Sequence, residues 1–499
     1  PPAGRVGLGR LTCRSGRPGA DPRAPGIGPP WRGHVRTIRL MSVVDLFHRV
    51  AESVPAYQEF LAGHGIDPAT VRDHADFQRL PLLTKDNYLR RHPLPRLCRD
   101  GRMTGCDLVA VSSGSTGEPT FWPRSAADEQ TVTARFEQVL AGGFGADRRS
   151  TLAVVCFPLG TWVGGLYTLS CLRHLAARGL PVTTVAPGNN KAEILRVLPQ
   201  LGEHFDQVVL LGYPPFVKDV VDTGVAAGLD WPRYAIKLVL AGEVFSEEWR
   251  DLLAARAKMR DVERDSAALY GTADAGVLGN ETPLSVRVRR FLSARPELAR
   301  ELFGGSRLPT LVQYDPASRF FETAPDGTLV VSADNGIPLI RYHIADEGGL
   351  IAHDELLDFC ARHGFRPDGG ADAPFVYVFG RSMFTVSFFG ANIYPENVTV
   401  GLEQPPVSGW VTGKFVLEVV EDADRDRRLR VTVELAPDET VDAEREPIVA
   451  QSILTQLRRL NSEFAHYVPA ERQTPDVVLR RNADPEYFPV GVKHRYTRP

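Results

Sequence analysis

The chain has no apolar run near the ~18–20 residues that a bilayer-spanning helix needs, so no membrane partner is expected. Cysteine is scarce: Cys13, Cys98, Cys106, Cys156, Cys171 and Cys360 are the only six in 499 residues, none at CxxC spacing. That argues against a disulfide scaffold or a zinc site and for a reducing, cytoplasmic setting. Charge of one sign is also lacking: Lys and Arg number 58, Asp and Glu 61, for a net −3. No global field then draws the chain to nucleic acid or anionic lipid. Acidic residues are nearly absent from positions 1–40, which hold eight Arg, eight Gly, seven Pro and only Asp21. That stretch lacks the serines and amphipathic spacing of a transit peptide. We read residues 1–40 as a disordered tail, such as a mis-set start codon would add ahead of Met41. The remainder is distinctly acidic.

What is present is apolar content of 43%, enough for large cores. One core stops growing at roughly 250–300 residues, so at least two domains are expected. Residues 42–75 carry helical periodicity, and Thr84 is placed to cap a helix over Lys85–Arg91. From about 107 to 345, apolar runs alternate with helical stretches. Strands are expected at 107–111, 151–157, 182–185, 207–211 and 236–241, and helices at 131–140, 167–178, 192–198 and 247–258. Such alternation predicts an α/β fold, its mixed or mostly parallel sheets covered by helices. Ligands of these sheets bind beyond the carboxyl ends of the strands. After Gly380 the pattern changes to strands at 415–420 and 428–435 and a helix near 444–464, a small α+β domain. We therefore divide the folded chain at 41–380 and 381–499.

The strongest local signal is Val111-Ser-Ser-Gly-Ser-Thr-Gly-Glu-Pro119. Small hydroxyl residues between glycines let backbone N–H groups and hydroxyls approach phosphate oxygens. No Gly-Lys-Ser/Thr closes the segment, so it is not a Walker A loop. On composition alone, a flexible Ser/Gly turn explains it equally well.

Ser112–Pro119 resembles the phosphate-binding loop of the adenylate-forming superfamily, the acyl-CoA ligases and their relatives. Further segments follow in that family's order. Tyr270-Gly-Thr-Ala-Asp274 resembles its YGxTE motif, and Arg341-Tyr-His-Ile-Ala-Asp346 the segment whose aspartate grips ribose. Gly380-Arg381, with Gly390-Ala-Asn-Ile-Tyr-Pro-Glu396, resembles the hinge motif. Lys493 stands where the family keeps a C-terminal lysine. The resemblance covers about residues 42–499. It implies a large N-terminal adenylate-forming domain and a small C-terminal one, using ATP and Mg²⁺. By the same resemblance Ser112, Ser113, Gly114, Ser115, Thr116 and Gly117 hold phosphate, Tyr270 and Gly271 meet adenine, and Asp346 and Arg381 bind ribose or phosphate. Asp274 ligates the metal, and Lys493, Asp274 and Thr116 carry the chemistry. A carboxylate must be held in line with the α-phosphorus of ATP while the developing charge is neutralised, and these residue types do that.

Leu80-Pro-Leu-Leu-Thr-Lys85 and Ala241-Gly242-Glu243 resemble the phenylacetate–CoA ligase branch, with Gly242 and Glu243 beside adenine. That branch implies an aromatic acid, in some members for secondary metabolism. Coenzyme A or a carrier-protein pantetheine is the implied thiol. The expected partners are a small carboxylic acid, an acyl carrier protein as alternative acceptor, and a second copy of the chain. Phe157, Trp162, Gly165, Tyr213, Pro214 and Gly271 are the candidates for the acid pocket, with core packing the competing reading for the aromatics. Glu118, Ala273 and Met383 depart from the family's loop lysine, hydroxyl residue and hinge aspartate. They leave a non-catalytic nucleotide or acid binder as the alternative. Tyr270 as an ordinary half-buried aromatic, Arg341 and Asp346 as a surface pair, His343 as structural and Lys493 as a solvated tail charge are the plainer readings.

Overall fold

The computed structural model describes residues 42–497 apart from 112–119, 162, 243, 306, 369, 382–385, 389–390, 422–426, 462–463, 466–467, 469 and 491–493. A hairpin of β1 (Leu108–Val111) and β2 (Phe121–Arg124) precedes the main sheet. That sheet is built from β3 (Thr151–Val155), β4 (Val182–Val185), β5 (Gln207–Gly212), β6 (Lys237–Ala241), β7 (Ser266–Thr272), β8 (Gly276–Asn280), β9 (Thr310–Gln313), β10 (Phe320–Thr323), β11 (Thr328–Ala333), β12 (Leu339–Ile351) and β13 (Phe375–Arg381). Its eleven strands run in the order β10-β11-β12-β13-β9-β8-β7-β6-β5-β3-β4. β4, β3, β5, β6 and β7 pair parallel, and every later pairing is antiparallel.

The parallel half follows from its residues. Leu152, Val154 and Cys156 of the first strand and its exit enter one apolar cluster, together with Val208, Leu210, Leu238 and Leu240. Ala153, Val155 and Phe157 enter the cluster on the other face, with Val209, Leu211 and Val239. Strands buried on both faces need unbroken apolar runs, and burial is worth roughly 1.5–3 kcal/mol per large aliphatic side chain. Helix Val163–Ala177, between β3 and β4, covers the second face through Cys171, Leu172 and Leu175. Helices Lys191–Leu201, Pro214–Ala226 and Glu247–Arg256 cover the first through Ile194, Val217 and Leu253. The chain leaves β3 toward β4, then returns past β3 to β5. The carboxyl ends of β3 and β5 therefore flank a switch point, where an open sheet leaves a crevice.

Helix Ala126–Glu137 starts on a capping box between Ser125 and Asp128. No helix forms over 85–91: Thr84 caps only a turn, its Oγ1 accepting from Asn87 N at 3.0 Å, and a single 3₁₀ turn at Leu89–Arg91 follows. The segment instead bonds to β12, with Leu83 N donating to Arg341 O at 3.1 Å and His343 N to Leu83 O at 2.9 Å.

Beyond β13, β14 (Val386–Phe388) and β15 (Ala391–Ile393) form a hairpin. β16 (Val411–Glu421), β17 (Arg427–Leu435) and β18 (Asp476–Arg480) form a three-stranded sheet under helix Glu446–Leu460. Among the described residues, their apolar cluster runs from Phe388 to Leu479 and takes in none before 386.

Among the described residues, hydrogen bonds join this last part to the rest. Lys218, buried, donates to Val411 O at 2.8 Å, Arg256 donates to Ser408 O, and the Ser246 hydroxyl donates to Glu403. Burial pushes the Glu403 carboxyl up to about 8; Glu248 adds to the shift, while Ser246, Lys218 and Arg289 oppose it. The folded chain thus holds a proton that the unfolded chain releases above about 4.5. The contribution to stability is fully present below the unfolded value and is lost as pH rises through about 8. Glu403→Gln, which cannot ionise, is expected to raise Tm by a few degrees at pH 9 and leave it nearly unchanged at pH 5. Scanning calorimetry at the two pH values checks this.

Candidate active site

Of the predicted residues that the structure describes, Phe157, Tyr213, Gly242 and Gly271 lie at the carboxyl ends of β3, β5, β6 and β7. Phe157 follows β3 and Tyr213 follows β5; their rings meet edge to face with centroids 5.1 Å apart. Gly242 follows β6 at φ +88°, and a Cβ there would lie 2.6 Å from the Tyr213 ring. The turn requires glycine both for its dihedral and for this close approach. Phe157 is fully buried while Tyr213 is partly exposed, so Tyr213 is the one of the two that can meet a ligand. Gly271 lies exposed at the end of β7, where a Cβ would meet Gly276 O at 2.8 Å.

Two tyrosine–carboxylate bonds of opposite polarity tie the end of β7 to β12. Tyr270 Oη on β7 donates to Asp346 Oδ2 on β12 at 2.9 Å. Tyr342 Oη on β12 donates to Asp274 Oδ2, just past β7, at 2.5 Å. Each strand region thus gives one tyrosine and one carboxylate, four residues apart, and all four are buried. The plainer reading of Arg341 and Asp346 as a surface pair does not hold. Arg341 pairs with Glu322 at 3.0 Å, and Asp346 belongs to Tyr270. Arg341 and Ala345 sit at φ +46° and +65°, the left-handed region that costs a non-glycine residue about 1–3 kcal/mol. Each of these two sites of strain immediately precedes a site residue, Tyr342 and Asp346. His343 is held through Nε2 on the Thr328 hydroxyl at 2.6 Å.

The loop carrying Asp274 is fixed from below. Arg124 donates to Ala273 O and Asp274 O, and Arg319 to Ala275 O at 3.4 Å. Both guanidinium groups are buried, and burial lowers the Arg319 pKa. The Thr272 hydroxyl accepts from Ala275 N at 3.0 Å, so the loop's hydroxyl serves its own backbone. Sequence reasoning did not single out Tyr342, Arg124 or Lys85 as site residues. Lys85 Nζ lies 3.4 Å from Asp274 Oδ1. Its only sequence signal is the Leu80–Lys85 segment itself. As to a cation, Mg²⁺ keeps several waters and takes one or two carboxylates together with phosphates. The single hard carboxylate of Asp274 fits that demand.

The register of β12 and β13 sets the backbone of Arg381 opposite Asp346. Ser112, Ser113, Gly114, Ser115, Thr116, Gly117, Glu118, Trp162, Glu243, Met383 and Lys493 lie outside the described residues, as does the Arg381 side chain. The first of these segments joins β1 to β2, and Val111 N donates to Thr161 O at 2.8 Å. On the C-terminal side of Lys493, His494 is half-buried with Nε2 2.6 Å from Phe415 O, and Tyr496 O accepts from Leu417 N at 2.6 Å.

No family model matches the sequence, and no curated protein matches it. Solved structures do match. 2-Hydroxyisobutyryl-CoA ligase in its postadenylation state, in complex with R3-HIB-AMP, is 15% identical with a TM-score of 0.65, over 91% of this chain and 87% of that one. The fold is that of the adenylate-forming ligases. The same ligase in an open conformation with 2-HIB-AMP and CoA scores 0.53 at 15% identity, over 92% and 90%. In the thioesterification state it scores 0.52 at 16% identity, over 91% and 87%. Among the described residues, no helix is long and apolar enough to cross a membrane.

Proposed function

We propose that this chain is a cytoplasmic ATP-dependent acid–thiol ligase. It joins a carboxylic acid to AMP with loss of pyrophosphate, then passes the acyl group to a thiol, coenzyme A first among acceptors. The reading rests on the two reciprocal tyrosine–carboxylate bonds at the crevice, which hold Tyr270, Asp274, Tyr342 and Asp346 in one rigid frame. Tyr270, Gly271, Gly242 and Glu243 would border adenine, Asp346 and Arg381 the ribose, and Ser112–Gly117, with Thr116, the phosphates. Asp274 would hold Mg²⁺, which when bound supplies positive charge against the phosphate oxygens. Lys493 would bridge the acyl and phosphate oxygens as charge develops between them.

The acid we propose is aromatic, as in the phenylacetate–CoA ligase branch. Tyr213 against Gly242, backed by Phe157, supports a flat pocket wall, with Trp162 as a further candidate lining residue. A carrier-protein pantetheine or an amine is the alternative acceptor. The apolar cluster confined to residues after 386 supports a small domain at 381–499 beside a large one at 41–380. The higher TM-score against the postadenylation state supports an arrangement of the two suited to the first half-reaction.

The test is ATP–pyrophosphate exchange by the full chain with Mg²⁺ across a panel of aryl and short acyl acids. Exchange dependent on an aryl acid is the expected result. Nucleotide binding with no exchange for any acid would replace the ligase by a non-catalytic binder.

A further inference from the structure

The oxygens of Asp274 are already engaged by the chain's own groups. Oδ2 accepts from Tyr342 at 2.5 Å, and Oδ1 faces Lys85 Nζ at 3.4 Å. The Asp274 side chain is only 4% exposed, whereas that of Lys85 is 24% exposed. The carboxylate is therefore a fixed point, and the ammonium has solvent to retreat into. Lys85 Nζ also lies 6.0 Å from the centre of the Trp122 ring, whose face attracts a cation. Its backbone is anchored two residues earlier, where Leu83 bridges to Tyr342 of β12. The same strand thus presents the tyrosine and anchors the lysine segment that together hold Asp274.

We propose that Lys85 is a positioning residue acting through Asp274: it is the carboxylate's internal counter-ion, and a divalent cation taken by Asp274 displaces it. This rests on the reading of Asp274 as the metal ligand. A buried carboxylate with no counter-charge carries a desolvation cost, which a resident lysine offsets while it holds the side chain aimed. The cost of displacing the lysine is subtracted from metal affinity. Metal binding then becomes tight only when phosphates arrive to supply further oxygens. Displaced, Lys85 stays on its anchored segment as a spare cation at the rim of the site.

The test measures Mn²⁺ alone binding to the full chain at pH 8, read as loss of the free Mn²⁺ resonance signal. Lys85→Met is expected to bind Mn²⁺ about five- to tenfold more tightly than the native chain, Lys85→Arg within about twofold of it, and Asp274→Asn much more weakly. Unchanged or weaker Mn²⁺ binding in Lys85→Met, with its melting temperature native-like, would overturn the displacement. Mn²⁺ binding unaffected by Asp274→Asn would also overturn it, by removing the ligand. Acid-dependent exchange in the native chain is scored separately. If it is present while either of those outcomes holds, the ligase reading stands and only the role of Lys85 falls. If it is absent while Lys85→Met still tightens Mn²⁺, the ion pair stands without the ligase.

Discussion

Asp274→Asn is expected to lower acid-dependent ATP–pyrophosphate exchange by about 100-fold or more while leaving the melting temperature within a few degrees of native. The substitution keeps the shape of the side chain and an oxygen to accept the Tyr342 hydroxyl. The loop itself is held by Arg124 and Arg319 through backbone carbonyls, contacts that no side chain at 274 alters. What goes is the negative charge. A neutral amide is a poor ligand for a hard cation, and it leaves Lys85 without its partner. Loss of metal-borne charge at a phosphate is worth several kcal/mol at the transition state. Exchange assays beside a thermal melt separate the two effects. Exchange within about threefold of native would remove Asp274 from the reaction centre.

Lys493→Ala is expected to lose adenylation by about 100- to 1,000-fold while ATP binding persists, the usual consequence of removing one preorganised donor to developing charge. The residues that follow argue against a general loosening of the chain end as the cause. His494 is hydrogen-bonded to Phe415 O, and Tyr496 is bonded to Leu417, so the terminus is held to β16 by groups other than the lysine. A basic tail that is merely solvated would not bond both its histidine and its tyrosine backbone to one strand. Measured by exchange and by nucleotide binding to the same variant, equal loss of both would point to unfolding of the terminus. Loss of neither would favour the non-catalytic binder.

The parallel half of the main sheet was legible because its strands are buried on both faces and read as unbroken apolar runs: Thr151–Val155, Gln207–Gly212 and Lys237–Ala241 lie close to their expected bounds. The antiparallel half, β8 to β13, was not. Those strands follow one another with few helices between, and residues such as Arg341 and Ala345 adopt conformations that no local preference predicts. Thr84 shows the limit of capping signals. A hydroxyl three residues before a donor closes a turn as readily as a helix, and here the backbone of the segment finds better partners on β12.

By itself, the sequence determined the α/β class, the change of pattern after residue 380 and a set of short motifs whose order resembles one family. Those are local properties of composition and period, written into neighbouring residues. The tertiary structure alone decided that Tyr270 belongs to Asp346 and Tyr342 to Asp274, and that Lys85, nearly 190 positions away in the chain, reaches the second of those carboxylates. Partners that far apart are set by how a twisted sheet brings the end of β7 against β12. No pattern within either segment carries that information.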